Sequence, residues 1–188
     1  MQNRQYPFDL VYKLNDIIRY SNVPKLYKES VAIHSYHVAV IVIELSTKYK
    51  FNLAKALTMA LSHDIPETEI DDISHKTKMI IPDVAIALKK AEAVIVSKYP
   101  TVLKDAIQEY EIGKSIESMV VQLADADQCS QYSYYEINNL GNNSNEMKNI
   151  YSESIARVAI LHNKIQSTHY THSSFYEIQE EKEENEEK

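Results

Sequence analysis

The chain has 188 residues, 44% of them apolar, which is enough for one domain with a full core. Its net charge of −7 is concentrated at one end: residues 177–188 hold seven Glu and two Lys, so the body lacks the basic surplus of a nucleic-acid binder. Two Gly and five Pro are too few for a hairpin-rich fold, a single cysteine (Cys129) excludes an intramolecular disulfide, and no apolar run approaches the ~18 residues of a membrane span.

The helical pattern begins near Pro7. Proline suits a helix start, and Phe8, Val11, Leu14 and Ile18 recur at helical spacing, predicting a helix over 7–20. A polar loop, Ser21 to Glu29, follows. Val31, His34, Val38, Ile41, Val42 and Leu45 mark a long second helix over 29–49. A third, rich in Ala, Leu and Met, covers 53–63. Pro66 and several acids then break the pattern, so 65–75 reads as a loop or a short irregular helix, a usual place for functional groups.

Pro82-Asp83 opens a fourth helix that Pro100 ends, and a shorter one covers 102–110. Residues 114–140 read as another long helix, with Ile116, Val120, Leu123 and Ala124 on its core face. Gly141-Asn-Asn-Ser-Asn145 is a loop whose Ser144 or Asn145 can cap the last helix, carried by Met147, Ile150, Ile155, Val158, Leu161 and Ile165. Residues 1–176 thus form one all-α domain, and 177–188 an acidic, disordered tail. Residues 1–9 contain no apolar core of signal-peptide length, so the expected location is cytoplasmic.

The chemistry sits in four residues: His34, the adjacent His63-Asp64, and Asp125. Taken singly they are weak. A His on an apolar helix face is most often a hydrogen-bonded core residue, and His-Asp pairs arise by chance. Asp125 carries more, because a carboxylate within Val120-Val-Gln-Leu-Ala-Asp125 is costly to bury unless paired or metal-bound. Two imidazoles and two carboxylates without a thiolate suit Mn, Fe, Co, Ni or Zn, and not a structural zinc knuckle.

In order along the chain, Glu29-Ser-Val-Ala-Ile-His-Ser35, Leu61-Ser-His-Asp-Ile-Pro-Glu67 and Gln122-Leu-Ala-Asp-Ala126 resemble the HD-domain metal-dependent phosphohydrolases. Within them the chain is most similar to the small bacterial 5′-deoxynucleotidases and their phage relatives, from about Asp16 to Tyr135. The resemblance implies an HD-domain helical bundle of six or seven helices. It implies one divalent transition metal (Co, Mn, Zn, Fe or Ni) on His34, His63, Asp64 and Asp125, with a second ion such as Mg as an option. It also implies a small-molecule nucleotide as substrate, no nucleic-acid or membrane partner, and a homodimer or higher homo-oligomer.

By the same resemblance Glu67 orients or deprotonates the attacking water, or protonates the leaving group. A solvated loop acid is its bland alternative. Asp72 matches a family acid that meets the sugar or a second ion. Arg19 and Tyr20 match an Arg-aromatic pair for phosphate binding and base or sugar stacking; Arg19 reads equally well as a charge offsetting a helix dipole. Lys76 and Lys78 are candidate phosphate contacts or ordinary solvated lysines.

Tyr132 follows Asp125 by seven residues and Cys129 by four, on the same helix face. Tyr132 therefore lines the pocket or packs in the core or a dimer contact, and Cys129 reads as a small buried residue. His37 reads as a surface residue one turn from His34. Asp127 points away from Asp125. Relatives carry Glu where Ile33 stands and Trp where Tyr20 stands.

The implied activity is hydrolysis of a deoxynucleoside 5′-monophosphate to deoxynucleoside and phosphate by a water activated at the metal. The rivals are a dNTP triphosphohydrolase on the same site and a non-catalytic nucleotide-binding or signalling module.

Overall fold

The computed structural model describes residues 8–71, 73 and 80–186, with side chains over 12–71, 73 and 80–168. Among the described residues the regular elements are helices and one isolated β-bridge. The helices are α1 (Phe8–Asp16), α2 (Val31–Leu45), α3 (Leu53–Ser62), the single turn α4 (Glu67–Ile70), α5 (Pro82–Val96), α6 (Thr101–Ile112), α7 (Ile116–Tyr134) and α8 (Asn145–Glu186). A π-helical turn, Tyr135–Asn139, extends α7. No described helix is long and apolar enough to cross a membrane. This is the all-α bundle that the sequence implies.

Helix starts follow their capping residues. Ser30 accepts the Ile33 N–H at 3.3 Å, Asn52 the Lys55 N–H at 3.1 Å and Ser115 the Ser118 N–H at 3.1 Å, each cap contributing about 1 kcal/mol. Because Ser30 is the cap, α2 begins at Val31 and leaves Glu29 in the preceding strap. The helix ends at Leu45, four residues before the expected Tyr49.

α7 is the axis of the bundle and packs against α2, α3, α6 and α8. Its Met119, Val120, Val121, Leu123 and Ala124 meet Val38 and Val42 of α2, Ala56, Met59 and Ala60 of α3, and Leu161 and Ile165 of α8. α6 is stopped by Gly113, which takes φ +64°; a β-carbon there would lie 2.8 Å from the Gln122 side chain. Gln122 in turn donates to the Tyr110 carbonyl at 2.8 Å, fixing the end of α6 against α7.

The first expected helix is also shorter than its pattern suggests. α1 stops at Asp16, not Tyr20, because residues 17–19 leave the helix to pair with 29–31. Val31 N–H donates to Ile17 O at 3.0 Å and Arg19 N–H to Glu29 O at 3.0 Å. Tyr20 then takes φ +55°, which no α-helix accommodates. The result is a strap, residues 17–30, lying across α2 and α7.

Glu136 sews that strap down. It is fully buried, and its carboxylate accepts the Leu26 N–H at 2.9 Å, the Tyr27 N–H at 2.5 Å and the Asn142 side-chain amide at 2.8 Å. Tyr132 donates to the Tyr27 carbonyl at 2.7 Å and Asn142 to that of Pro24 at 2.8 Å. Burial pushes the Glu136 pKa up, but the donors Asn142, Leu26, Tyr27 and Tyr132 outweigh it and hold the carboxyl below its ordinary value.

Glu136→Gln should cost about 1–3 kcal/mol in urea denaturation, since an amide cannot accept from all of these donors. Because the folded pKa is lowered, the Glu136 contribution should be fully present above the ordinary carboxylate pKa. It should fade as pH falls through the folded value, so the gap between wild type and variant should close in acid.

Candidate metal centre

Three helices bring the four expected ligands to one point. His34 lies in the first turns of α2, His63 closes α3 with Asp64 next in the turn, and Asp125 sits midway along α7. His34 Nε2 lies 3.3 Å from Asp125 Oδ1 and 3.5 Å from Asp64 Oδ2, and His63 Nε2 lies 3.3 Å from the same Asp64 oxygen. His34, His63 and Asp125 each offer a ligand atom within 4.8 Å of the others, and all three are buried.

The donor set passes a direct chemical test for a cation. His34 Nε2 and His63 Nε2 are buried without a hydrogen-bond partner, a costly arrangement for a nitrogen lone pair unless an ion completes it. His63 is oriented for that role by its own helix, since Nδ1 donates to the Ala60 carbonyl at 2.9 Å and so leaves Nε2 bare. Imidazole nitrogen with carboxylate oxygen fits a divalent transition metal.

Asp125 is held from behind. Its Oδ1 faces His34, while Oδ2 accepts the Tyr110 hydroxyl at 3.0 Å and lies 3.2 Å from Arg157 Nη2. Burial, aided by Asp125 and Asp64, pushes the Tyr110 phenol well above its ordinary value, which keeps it a proton donor.

The other expected residues fall as follows. Glu67 opens α4 three residues after Asp64, its N–H donating to the Asp64 carbonyl at 3.1 Å. Arg19 is packed behind His34, with Nη1 3.3 Å from Glu29 and 3.0 Å from Gln128 Oε1, and Nη2 3.4 Å from Cys129 Sγ. The Tyr20 ring stacks on Tyr132 at 5.3 Å, with the Arg19 guanidinium 4.9 Å from its centroid. Tyr132 is buried, and its hydroxyl is spent on Tyr27.

Cys129 Sγ lies 3.9 Å from Asp125 Oδ1, on the ligand's face as the spacing implies. Asp127 accepts instead from Ser130 and Gln131, away from the centre. His37 meets Glu29 at 3.2 Å. Asp72, Lys76 and Lys78 lie outside the described residues.

Four participants escaped the sequence reading. Glu29 stood within the quoted motif without a role. Gln128 lies three residues after Asp125, a spacing that places both on one face. Tyr110 stood only as the end of the expected 102–110 helix. Arg157 stands on α8, beyond the region of resemblance, and nothing in its local sequence marks it.

Residues 11–169 match the HD domain family. Among solved structures, a protein from Pyrococcus horikoshii OT3 is similar at 26% identity and a TM-score of 0.68, covering 84% of this chain and 94% of that one. An HD-domain phosphohydrolase from Listeria innocua gives 23% identity and a TM-score of 0.69 over 87% of this chain and 83% of that one. The HD phosphohydrolase DatZ of cyanophage S-2L, bound to dA and one catalytic Zn²⁺ ion, gives 14% and 0.55 over 85% and 96%. The last two likenesses speak for the fold alone. No curated protein matches the chain.

The hold on Asp125 generates a test. Tyr110→Phe removes a hydrogen bond from Oδ2 while keeping the ring, and should weaken Co²⁺ or Zn²⁺ binding by roughly 10-fold or more in calorimetric titration. Unchanged affinity would show that Arg157 alone suffices to hold the carboxylate.

Proposed function

The chain belongs to the HD-domain family, and from that premise we propose that it is a metal-dependent nucleotide phosphohydrolase, specifically a 5′-deoxynucleotidase. The observation that carries this reading is the convergence of His34, His63, Asp64 and Asp125 around two buried, bare imidazole nitrogens; Glu67 follows Asp64 by three residues in the chain. When bound, a divalent ion would supply the Lewis acidity that polarises a phosphate ester and acidifies water.

The chain's own groups supply the rest. Glu67 accepts the proton of the attacking water as its oxygen bonds to phosphorus. The same proton then passes to the departing 5′-oxygen as the ester bond breaks, giving deoxynucleoside and phosphate. A structural ion site needs no such acid, which weighs against the non-catalytic module. Arg157, with a half-exposed side chain 3.2 Å from Asp125, is the cation best placed to meet an incoming phosphate. Arg19 would reach a phosphate only by giving up Gln128 and Cys129.

The same reading includes a homodimer. α2 is apolar almost all round, and its Ile33, Tyr36, Val40 and Ile43 face outward at helical spacing. Sedimentation equilibrium should find a dimer, and Val40→Glu with Ile43→Glu should shift it to monomer without loss of helicity.

For the activity, metal-stripped protein resupplied with Co²⁺, Mn²⁺, Zn²⁺ or Mg²⁺ should release phosphate from dNMPs. Glu67→Gln should lower kcat by about 10²–10⁴-fold while leaving metal affinity in place. Release of triphosphate from dNTPs would move the assignment to the triphosphohydrolase. Nucleotide binding without turnover under any metal would sink the enzyme reading.

A further inference from the structure

Behind the ligand cluster lies a closed polar ring that the hydrolytic chemistry does not itself require. It joins Glu29, 1% exposed, Gln128, 3% exposed, Arg19 and the outer nitrogen of His34. Such a set in a helical core is expensive unless every donor finds an acceptor.

The hydrogens in this ring can be placed by elimination. Glu29 is a carboxylate and only accepts. Gln128 must therefore turn its amide nitrogen toward Glu29 Oε1, at 2.7 Å, and its oxygen toward His34 Nδ1, also at 2.7 Å. A hydrogen on Nδ1 makes that approach a hydrogen bond, whereas a bare Nδ1 would set two lone pairs against each other.

Arg19 Nη1 also lies 2.6 Å from Nδ1, an approach that would be a hydrogen bond only if Nδ1 were bare and the proton sat on Nε2. Nη1 carries two hydrogens, however, and has two oxygens to receive them, Glu29 Oε2 at 3.3 Å and Gln128 Oε1 at 3.0 Å. Gln128 Oε1, with two lone pairs, then accepts once from Arg19 and once from His34. Both Nη1 hydrogens and the His34 Nδ1 hydrogen then have an acceptor.

We propose that Glu29 and Gln128 are positioning residues: Glu29 fixes the Gln128 amide, and Gln128 keeps the His34 proton on Nδ1, so that Nε2 presents its lone pair to the ion. Ile33 does not contribute, since it points away from the ring and is partly exposed. Both positioning residues act through His34 and touch no reacting atom. The inference rests on the metal-site reading for its purpose, but not for its geometry.

The test uses the full chain, metal-free and ¹⁵N-labelled, as wild type, Gln128→Met and Glu29→Gln. Two-bond ¹H–¹⁵N spectra tell a protonated ring nitrogen from a bare one, and competition with a chelator gives the Zn²⁺ affinity. Wild-type His34 should carry its proton on Nδ1. In Gln128→Met the acceptor is gone and Arg19 is the remaining partner of Nδ1, so the proton should move to Nε2 and Zn²⁺ affinity should fall roughly 10–100-fold. Glu29→Gln should give a mixture of the two forms and a smaller loss.

His63 is the internal control. Its Nδ1 proton belongs to the Ala60 carbonyl and should stay there in all three proteins, reporting an intact fold. A wild-type His34 protonated on Nε2 would overturn the inference whatever the variants do. So would a Gln128→Met protein with an unmoved proton and unchanged affinity. The expected proton positions in a wild type that fails to bind Zn²⁺ would support the ring and overturn the metal-site reading instead.

Discussion

A polar centre at the crossing of three apolar helices survives only if each buried donor and acceptor is answered. Water cannot do it at His34, which is wholly buried between α2 and α7. The surroundings answer for it by dividing the imidazole in two. The outer nitrogen is given to neutral and charged side chains of α7 and the strap, and the inner one is turned toward anionic oxygens. The remaining architecture can be understood as what holds that division in place. Ala56, Ala60 and Ala124 keep the core thin where α3 meets α7.

The strap follows from the same constraint. Arg19 must reach the back of His34 from α1, which the end of a regular helix would not allow. The chain therefore leaves the helix at Asp16, pairs with 29–31 and delivers Arg19 and Glu29 side by side. Two buried carboxylates secure it, Glu29 by its partners in the ring, which tie it to Arg19, and Glu136 by backbone N–H groups of Leu26 and Tyr27. The unusual backbone of Tyr20 lies between the anchored Arg19 and Leu26, where contacts on both sides enforce it.

Much of this was legible in the sequence. Local pattern located every long helix, because apolar spacing and caps such as Ser30 and Asn52 report on short-range structure. The ordered His, His-Asp and Asp marked four side chains that the fold brings together. The remainder was hidden because it depends on pairings distant in the chain. Nothing near Asp16 signals that α1 stops there, since the partner is the backbone around Ser30. Arg157 and Tyr110 converge on Asp125 from two further helices, and their neighbours in sequence carry no trace of it. Gln128 was the exception: its spacing from Asp125 was visible, but an amide without its carboxylate partner has no evident purpose.

The ligands are drawn from α2, α3 and α7, so an ion held by them would also be a cross-link among segments far apart in the chain. Because the unfolded polypeptide cannot assemble the same set, free metal at a hundred times its dissociation constant would raise the unfolding free energy by about 2.7 kcal/mol. Heat resistance of this protein would then be a property of its solution as much as of its sequence. A chelator in the buffer would lower the melting temperature, and a cell short of the metal would accumulate a chain more open to proteolysis.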